Sequence, residues 1–211
     1  MKKTILLALV CLNLGAMAQN KKYLDAMEKN VAAVDTSRTI DQLQPLENNF
    51  ERIANAEKKE WLPYYYAAYC NVNMTYATKG NDIDTYCDKA DALVHKADSL
   101  NPDNSEIQAL KAQIAAARIS VNPALRGRKY GSEAAQLREK AKKLDPANPR
   151  PWMLEGMSLF YTPSAFGGGK DKAKVSYTKA LELYESFKPA SSIHPRWGKG
   201  TTQYFLGQCD K

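Results

Sequence analysis

One ten-residue pattern occurs twice, 44 residues apart, and it limits the fold more than any other feature of the chain. His95-Lys96-Ala97-Asp98-Ser99-Leu100-Asn101-Pro102-Asp103-Asn104 and Glu139-Lys140-Ala141-Lys142-Lys143-Leu144-Asp145-Pro146-Ala147-Asn148 share x-Lys-Ala-x-x-Leu-x-Pro-x-Asn. The three tryptophans, Trp61, Trp152 and Trp197, are spaced by 91 and 45 residues. Read as two periods, the longer spacing leaves Ile107 where a fourth tryptophan would stand. Two independent landmarks thus agree on a unit of about 45 residues, and a fixed period of that length is the mark of a repeat architecture.

Each half of the period reads as a helix. Before the turn, small residues recur at three- and four-residue spacing: Ala90, Val94 and Ala97; Ala134 and Ala141; Ala173, Tyr177 and Ala180. Residues so spaced share one helix face, and small ones admit a close neighbour. The proline then ends the helix, because it lacks an N–H and disfavours helix in the residue before it. The Asp or Asn beside it can cap the next helix. That helix opens on a large anchor: Trp152 with Gly156 and Leu159, Trp197 with Thr201 and Tyr204, or Ile107 with Leu110 and Ile114. The pattern predicts helices over about 21–34, 40–59, 61–78, 82–100, 104–120, 131–144, 149–161, 169–187 and 196–208, with no strand alternation.

In these residues the chain resembles the tetratricopeptide repeat family, whose first helix carries Trp-x2-Leu-Gly-x2-Tyr and whose second carries Ala-x3-Phe-x2-Ala before a proline. Trp152-Met153-Leu154-Glu155-Gly156 and Ala173-x3-Tyr177-x2-Ala180 follow that pattern, as does Ala90-x3-Val94-x2-Ala97-x4-Pro102. The likeness covers residues 61–211. It implies an all-α fold, an α-α superhelix of about four stacked antiparallel helical hairpins closed by a capping helix. Trp61, Trp152, Gly156, Ala173, Ala180 and Trp197 are its structural anchors. The period departs from the family's, at about 45 residues against about 34. The surplus falls between the two helices of each pair, as longer helices or longer turns. The stretch Pro146 to Leu183, with its Pro-aromatic-Gly-Gly turn, is also similar to the periplasmic T component of TRAP-type transporters and to the regulators of microtubule dynamics. This likeness implies a repeat subtype rather than an activity.

The N-terminus reads as an export signal. Lys2 and Lys3 precede an apolar run from Ile5 to Leu14, too short to span a bilayer, and Ala16-Met17-Ala18 fits small-x-small cleavage. Residues 1–18 are therefore expected to be removed after Ala18, leaving a repeat domain over 19–211 in the periplasm or outside the cell. Cys11 follows Val10, which is not the small residue a lipoprotein signal wants, so a soluble product is favoured. No later segment is apolar enough to cross a membrane. Charge is divided: residues 19–103 hold 10 basic and 14 acidic side chains, residues 104–211 hold 18 and 9. The basic half suits either an acidic partner or a solvated lysine-rich surface. An exported protein rarely meets nucleic acid, so that partner is not expected.

Few residues suggest chemistry. Thr162-Pro163-Ser164-Ala165-Phe166-Gly167-Gly168-Gly169-Lys170 joins two strong helices. As structure it is a tight reversal, with Phe166 filling the space between helices. As a site it would offer backbone N–H groups and Lys170 to an anion. The phosphate-loop pattern is absent. Tyr65 and Tyr69 share a face with Trp61, as packing or as the lining of a ligand or peptide groove. Arg126, Arg128 and Lys129 form a basic turn that either holds an acidic partner or is a solvated connector. Cys70 and Cys87 flank Lys79-Gly80 at similar distances, so they are either a disulfide across a hairpin or two buried thiols. His95 and His194 lack the partners of a triad, and no ligand spacing marks a metal site. No cofactor is expected. The chain reads as a non-enzymatic exported scaffold or adaptor that binds a protein or peptide of the cell envelope. The alternative is a small-ligand-binding accessory subunit of a transport system, with a pocket lined by Tyr65 or Tyr69.

Overall fold

The computed structural model of the protein describes residues 21–80 and 82–211. The expected export signal, its cleavage after Ala18 and Cys11 lie outside the described residues. Among those described the regular structure is all helical: α1 (residues 21–34), α2 (Ile40–Ala56), α3 (Trp61–Met74), α4 (Asp82–Leu100), α5 (Ser105–Ile119), α6 (Pro123–Leu144), α7 (Arg150–Tyr161), α8 (Lys170–Ser186) and α9 (Lys199–Cys209), with single 3-10 turns at Thr75–Ala77 and Ser164–Phe166. No helix among the described residues is long and apolar enough to cross a membrane.

The repeated Pro-x-Asn turns set up helix starts. Asn104 accepts the backbone N–H groups of Glu106 and Ile107 at 2.9 and 3.2 Å and starts α5. Asn148, one residue before the capping Pro149, accepts that of Arg150 at 3.0 Å and steadies the entry to α7. The two turns are also joined in space: Asn148 Nδ2 donates to Ser105 Oγ at 3.0 Å, and Ser105 Oγ donates to the Ala141 carbonyl at 2.8 Å. A cap such as that of Asn104 contributes about 1 kcal/mol.

Consecutive helices from α2 to α9 pack on one another, and α3, α5, α7 and α9 also touch in succession. α1 meets α2 through Asn49 Nδ2, which donates to Asn30 Oδ1 at 2.9 Å. The small-residue stripes lie at these contacts, with Ala90, Val94, Ala97, Ala141, Ala173 and Ala180 fully buried. Gly156 is needed where α7 crosses α8, because a Cβ there would meet the Tyr177 ring at 2.6 Å. The surplus length has two forms. α6 extends to 22 residues after a connector of only residues 120–122, whereas α7 and α8 are shorter and joined by the long turn 162–169. Two hydrophobic cores result, one over α1–α5 and one over α7–α9, with Tyr69 packed against both.

Several expectations are corrected. α6 starts at Pro123, capped by Asn122, so Arg126, Arg128 and Lys129 are helical and not a turn. Pro at the first position has no N–H to lose, which moves the start eight residues forward. Trp197 precedes α9 rather than opening it, since Gly198 at φ 110° lies between. Phe166 is 81% exposed and fills no space between helices: Gly167 at φ 89° and Gly169 at φ 111° turn the backbone so tightly that the ring is thrown outward. Cys70 and Cys87 are both buried and unbonded. They face different neighbours: Cys87 Sγ approaches the Ile114 carbonyl on α5 at 3.9 Å, and Cys70 feels the charge of Glu47 on α2.

Candidate functional site

The contacts of α3, α5 and α7 show that these helices run the same way. Their N-terminal ends meet through Tyr65, Glu106 and Arg150, and their C-terminal ends through Tyr76, Gln113 and Tyr161. The two ends differ in chemistry.

At the N-terminal end Arg150, the first residue of α7, is fully buried. Its Nη1 donates to Glu106 Oε1 at 2.7 Å and its Nη2 donates to the Pro195 carbonyl. The guanidinium lies over the Phe187 and Trp197 rings at 4.8 and 5.1 Å. Both rings belong to the segment 187–198, which leaves α8 and runs back to the start of the chain. Ile193 enters the α1–α5 core, Ser192 Oγ donates to Glu28 Oε1 at 2.6 Å, and Arg196 Nε donates to Asp35 Oδ2 at 2.9 Å. Trp197 Nε1 donates to Tyr65 Oη at 2.9 Å, and its ring stacks on Tyr69 at 4.8 Å. Burial pushes Glu106 up to about 7, and Arg150 offsets only part of that cost. Burial raises the Tyr65 and Tyr69 phenols as well. An open cavity of about 350 Å³ lies beside this cluster, bordered by Asp103, Glu106, Asp145, Phe187, Lys188 and His194 among others.

The C-terminal end is built around a cluster of rings. Phe205 of α9 is central: Phe160, Tyr161, Tyr177 and Tyr204 lie 5.3, 5.9, 5.9 and 5.2 Å from it. Tyr161 and Tyr204 are 68% and 62% exposed. Tyr76 reaches the same region from the end of α3, its Oη accepting from Gln113 Nε2 at 3.2 Å. Although the Tyr76 ring is itself more than half exposed, the protein around it still raises its phenol by desolvation. Lys170 Nζ stands 5.9 Å from the centre of the Phe160 ring. A group of adjoining exposed rings is a candidate place of contact.

The candidate residues are thus dispersed. Tyr65 is fully buried and hydrogen-bonded to Trp197, and Tyr69 is half-buried in a stack with the same ring. The 187–198 segment packs over both tyrosines through Trp197. Arg126 pairs with Asp84 at 2.7 Å; Arg128 and Lys129 are exposed on α6, with Lys129 Nζ 4.9 Å from the Tyr130 ring. Trp61 is half-buried beside His194, and Trp152 lies under Lys142 Nζ at 3.9 Å. Lys170 alone of the candidates borders the exposed rings. Phe160, Tyr161 and Phe205 have no counterpart among the sequence-derived candidates, Tyr204 enters there only as a structural anchor after Trp197, and Glu106 and Arg150 do not enter at all. The run Leu159-Phe160-Tyr161 was the available signal, because three consecutive large apolar residues at a helix end cannot all face inward. No group of three or more His, Cys, Asp or Glu side chains among the described residues is placed to hold a metal ion.

No protein-family model matches the chain, and no curated protein matches it either. Among solved structures, the HusA haemophore from Porphyromonas gingivalis is similar, with a TM-score of 0.81 and 36% sequence identity over 89% of this chain and 92% of that one. At that identity and coverage, the chain belongs to the family of the HusA haemophore.

Proposed function

We propose that this protein is an exported carrier of haem, which it binds on the rings at the C-terminal ends of α3, α7 and α9. The observation that carries the reading is the 36% identity to a haemophore over nearly the whole of both chains. It favours a small-ligand role over docking of a protein partner, for which the helical-pair architecture is the only argument.

The chemistry of the aromatic face suits the ligand. A porphyrin is a flat apolar π-system, and stacked or edge-on rings gain about 0.5–1.5 kcal/mol per pair beyond the area they bury. Tyr161 of α7 and Tyr204 and Phe205 of α9 adjoin one another, so a plate lying on them bridges those two helices, with Tyr76 nearby in the turn after α3. The likeness to tetratricopeptide arrays enters as architecture. We infer that the paired helices curve into a superhelix with α3, α5, α7 and α9 on its inner wall, which makes the ring cluster one end of a groove. The signal-like N-terminus supplies the export that such a carrier requires.

The test is a titration of the purified chain with hemin, followed by Soret absorbance and by quenching of tryptophan fluorescence. Saturable binding is expected. Tyr161→Ala with Tyr204→Ala removes two exposed rings without opening the core and should weaken binding at least about tenfold, or ~1.4 kcal/mol. Wild-type protein that leaves micromolar hemin unbound would sink the reading.

A further inference from the structure

The ring cluster has a charged border on α8. Lys170 and Lys174 are four residues apart, so they share a helix face with Cβ atoms about 6 Å apart. Tyr177 follows on that face and stacks on Phe205, with ring planes 10° apart. The stripe therefore runs from two ammonium groups straight into the rings. Lys170 Nζ lies over Phe160 and makes no ion pair among the described residues. Lys174 Nζ pairs with Asp210 at the end of α9, and both of these side chains are about half exposed, at 52% and 57%. Both ammonium groups are near enough to the half-buried Cys209 thiol at the end of α9 to offset part of the rise that burial imposes on it. No side chain caps the start of α8, where Gly169 is the capping residue, so the unpaired N–H groups of the first turn add positive potential. Lys170, Lys172 and Lys174 stand there against Asp171 and Asp210, leaving the corner basic.

Building on the haem reading, we propose that Lys170 and Lys174 recognise the ligand's carboxylates. The tetrapyrrole lies on Phe205 and Tyr161 with its carboxylate-bearing edge turned to the first turn of α8. Lys170 takes one carboxylate directly. Lys174 takes the other by exchanging it for Asp210, a swap of one exposed carboxylate for another that costs little. The site then selects dianionic porphyrins over neutral ones of the same shape, and its affinity falls as salt rises.

The experiment titrates the full chain with hemin and with hemin dimethyl ester in one buffer and cosolvent, using wild type, Lys170→Ala/Lys174→Ala and the remote control Lys179→Ala. Wild type and the control are expected to bind the diacid about tenfold more tightly than the diester, the size of one exposed charge-assisted contact. The double variant is expected to lose that preference while keeping its affinity for the diester. A double variant that binds the diacid like wild type overturns the assignment, and so does one weakened equally for both ligands. Wild type that binds diacid and diester equally leaves the haem reading standing and removes the lysines from it. Wild type that binds neither removes both.

Discussion

The two ends of the α3, α5 and α7 layer solve opposite problems. At the N-terminal ends a buried guanidinium meets a buried carboxylate and a carbonyl, between two rings and under a segment drawn from elsewhere in the chain. Taking charges out of water costs several kcal/mol per ion, so that end pairs the two charges directly and encloses the guanidinium between rings. At the C-terminal ends the same helices present Tyr76, Tyr161 and, through α9, Tyr204, each more than half exposed. Rings need no partner for polar atoms along their faces, so this end can stay open. The difference shows how one set of helices is tied at one end and leaves rings exposed at the other. The ionic end joins α5 and α7 to the segment after α8.

The largest effect should come from breaking the ionic end. Arg150→Met leaves Glu106 buried without its partner and should cost about 3–5 kcal/mol in urea unfolding. Glu106→Gln together with Arg150→Met should recover much of that loss, since a neutral pair has no charge to strand. The next largest should come from the other end. Gly156→Ala drives a methyl group into the Tyr177 ring, which stacks on Phe205, and should cost about 1–3 kcal/mol. If the ends are distinct, this variant disturbs hemin binding while Tyr65 and Trp197 stay packed, and their near-ultraviolet circular dichroism is the readout. The smallest is a pH slope. Glu106 has its folded pKa raised from 4.5 to about 7, so the folded state binds the extra proton between those values. Stability should then fall as pH rises from about 4.5 through about 7, with a limiting slope of about 1.4 kcal/mol per unit. Glu106→Gln should remove this contribution; an unchanged slope in melts across that range would count against it.

The fold was legible where physics is local. The Pro-x-Asn turns, the alanine stripes and Gly156 each act within one or two helices, and the structure uses them for capping and close approach. The site was much less so. Trp197 lies at the repeat spacing, yet it is held by Tyr65, 132 residues earlier, and no periodicity reports such a contact. Arg150 looks like any arginine near a helix start until Glu106 and the Pro195 carbonyl are placed around it. The spacing of Cys70 and Cys87 about a turn says nothing of which way each thiol points, and they point to different helices. Lys170 was found through its glycines, for their backbone, although its place beside Phe160 depends on where α7 ends.

The segment 187–198 also changes how the molecule must be assembled. In a linear repeat array each unit leans only on its neighbours, so units fold in turn and the ends fray first. Here Ser192 is bonded to Glu28 across 164 residues, and Arg196 to Asp35 across 161. The contacts of α1 and of the turn after it are therefore completed only when the segment 187–198 is in place. Such distant pairing slows the search for the native state. It also couples distant parts of the molecule: α1 cannot leave the stack without giving up its contacts to the segment 187–198.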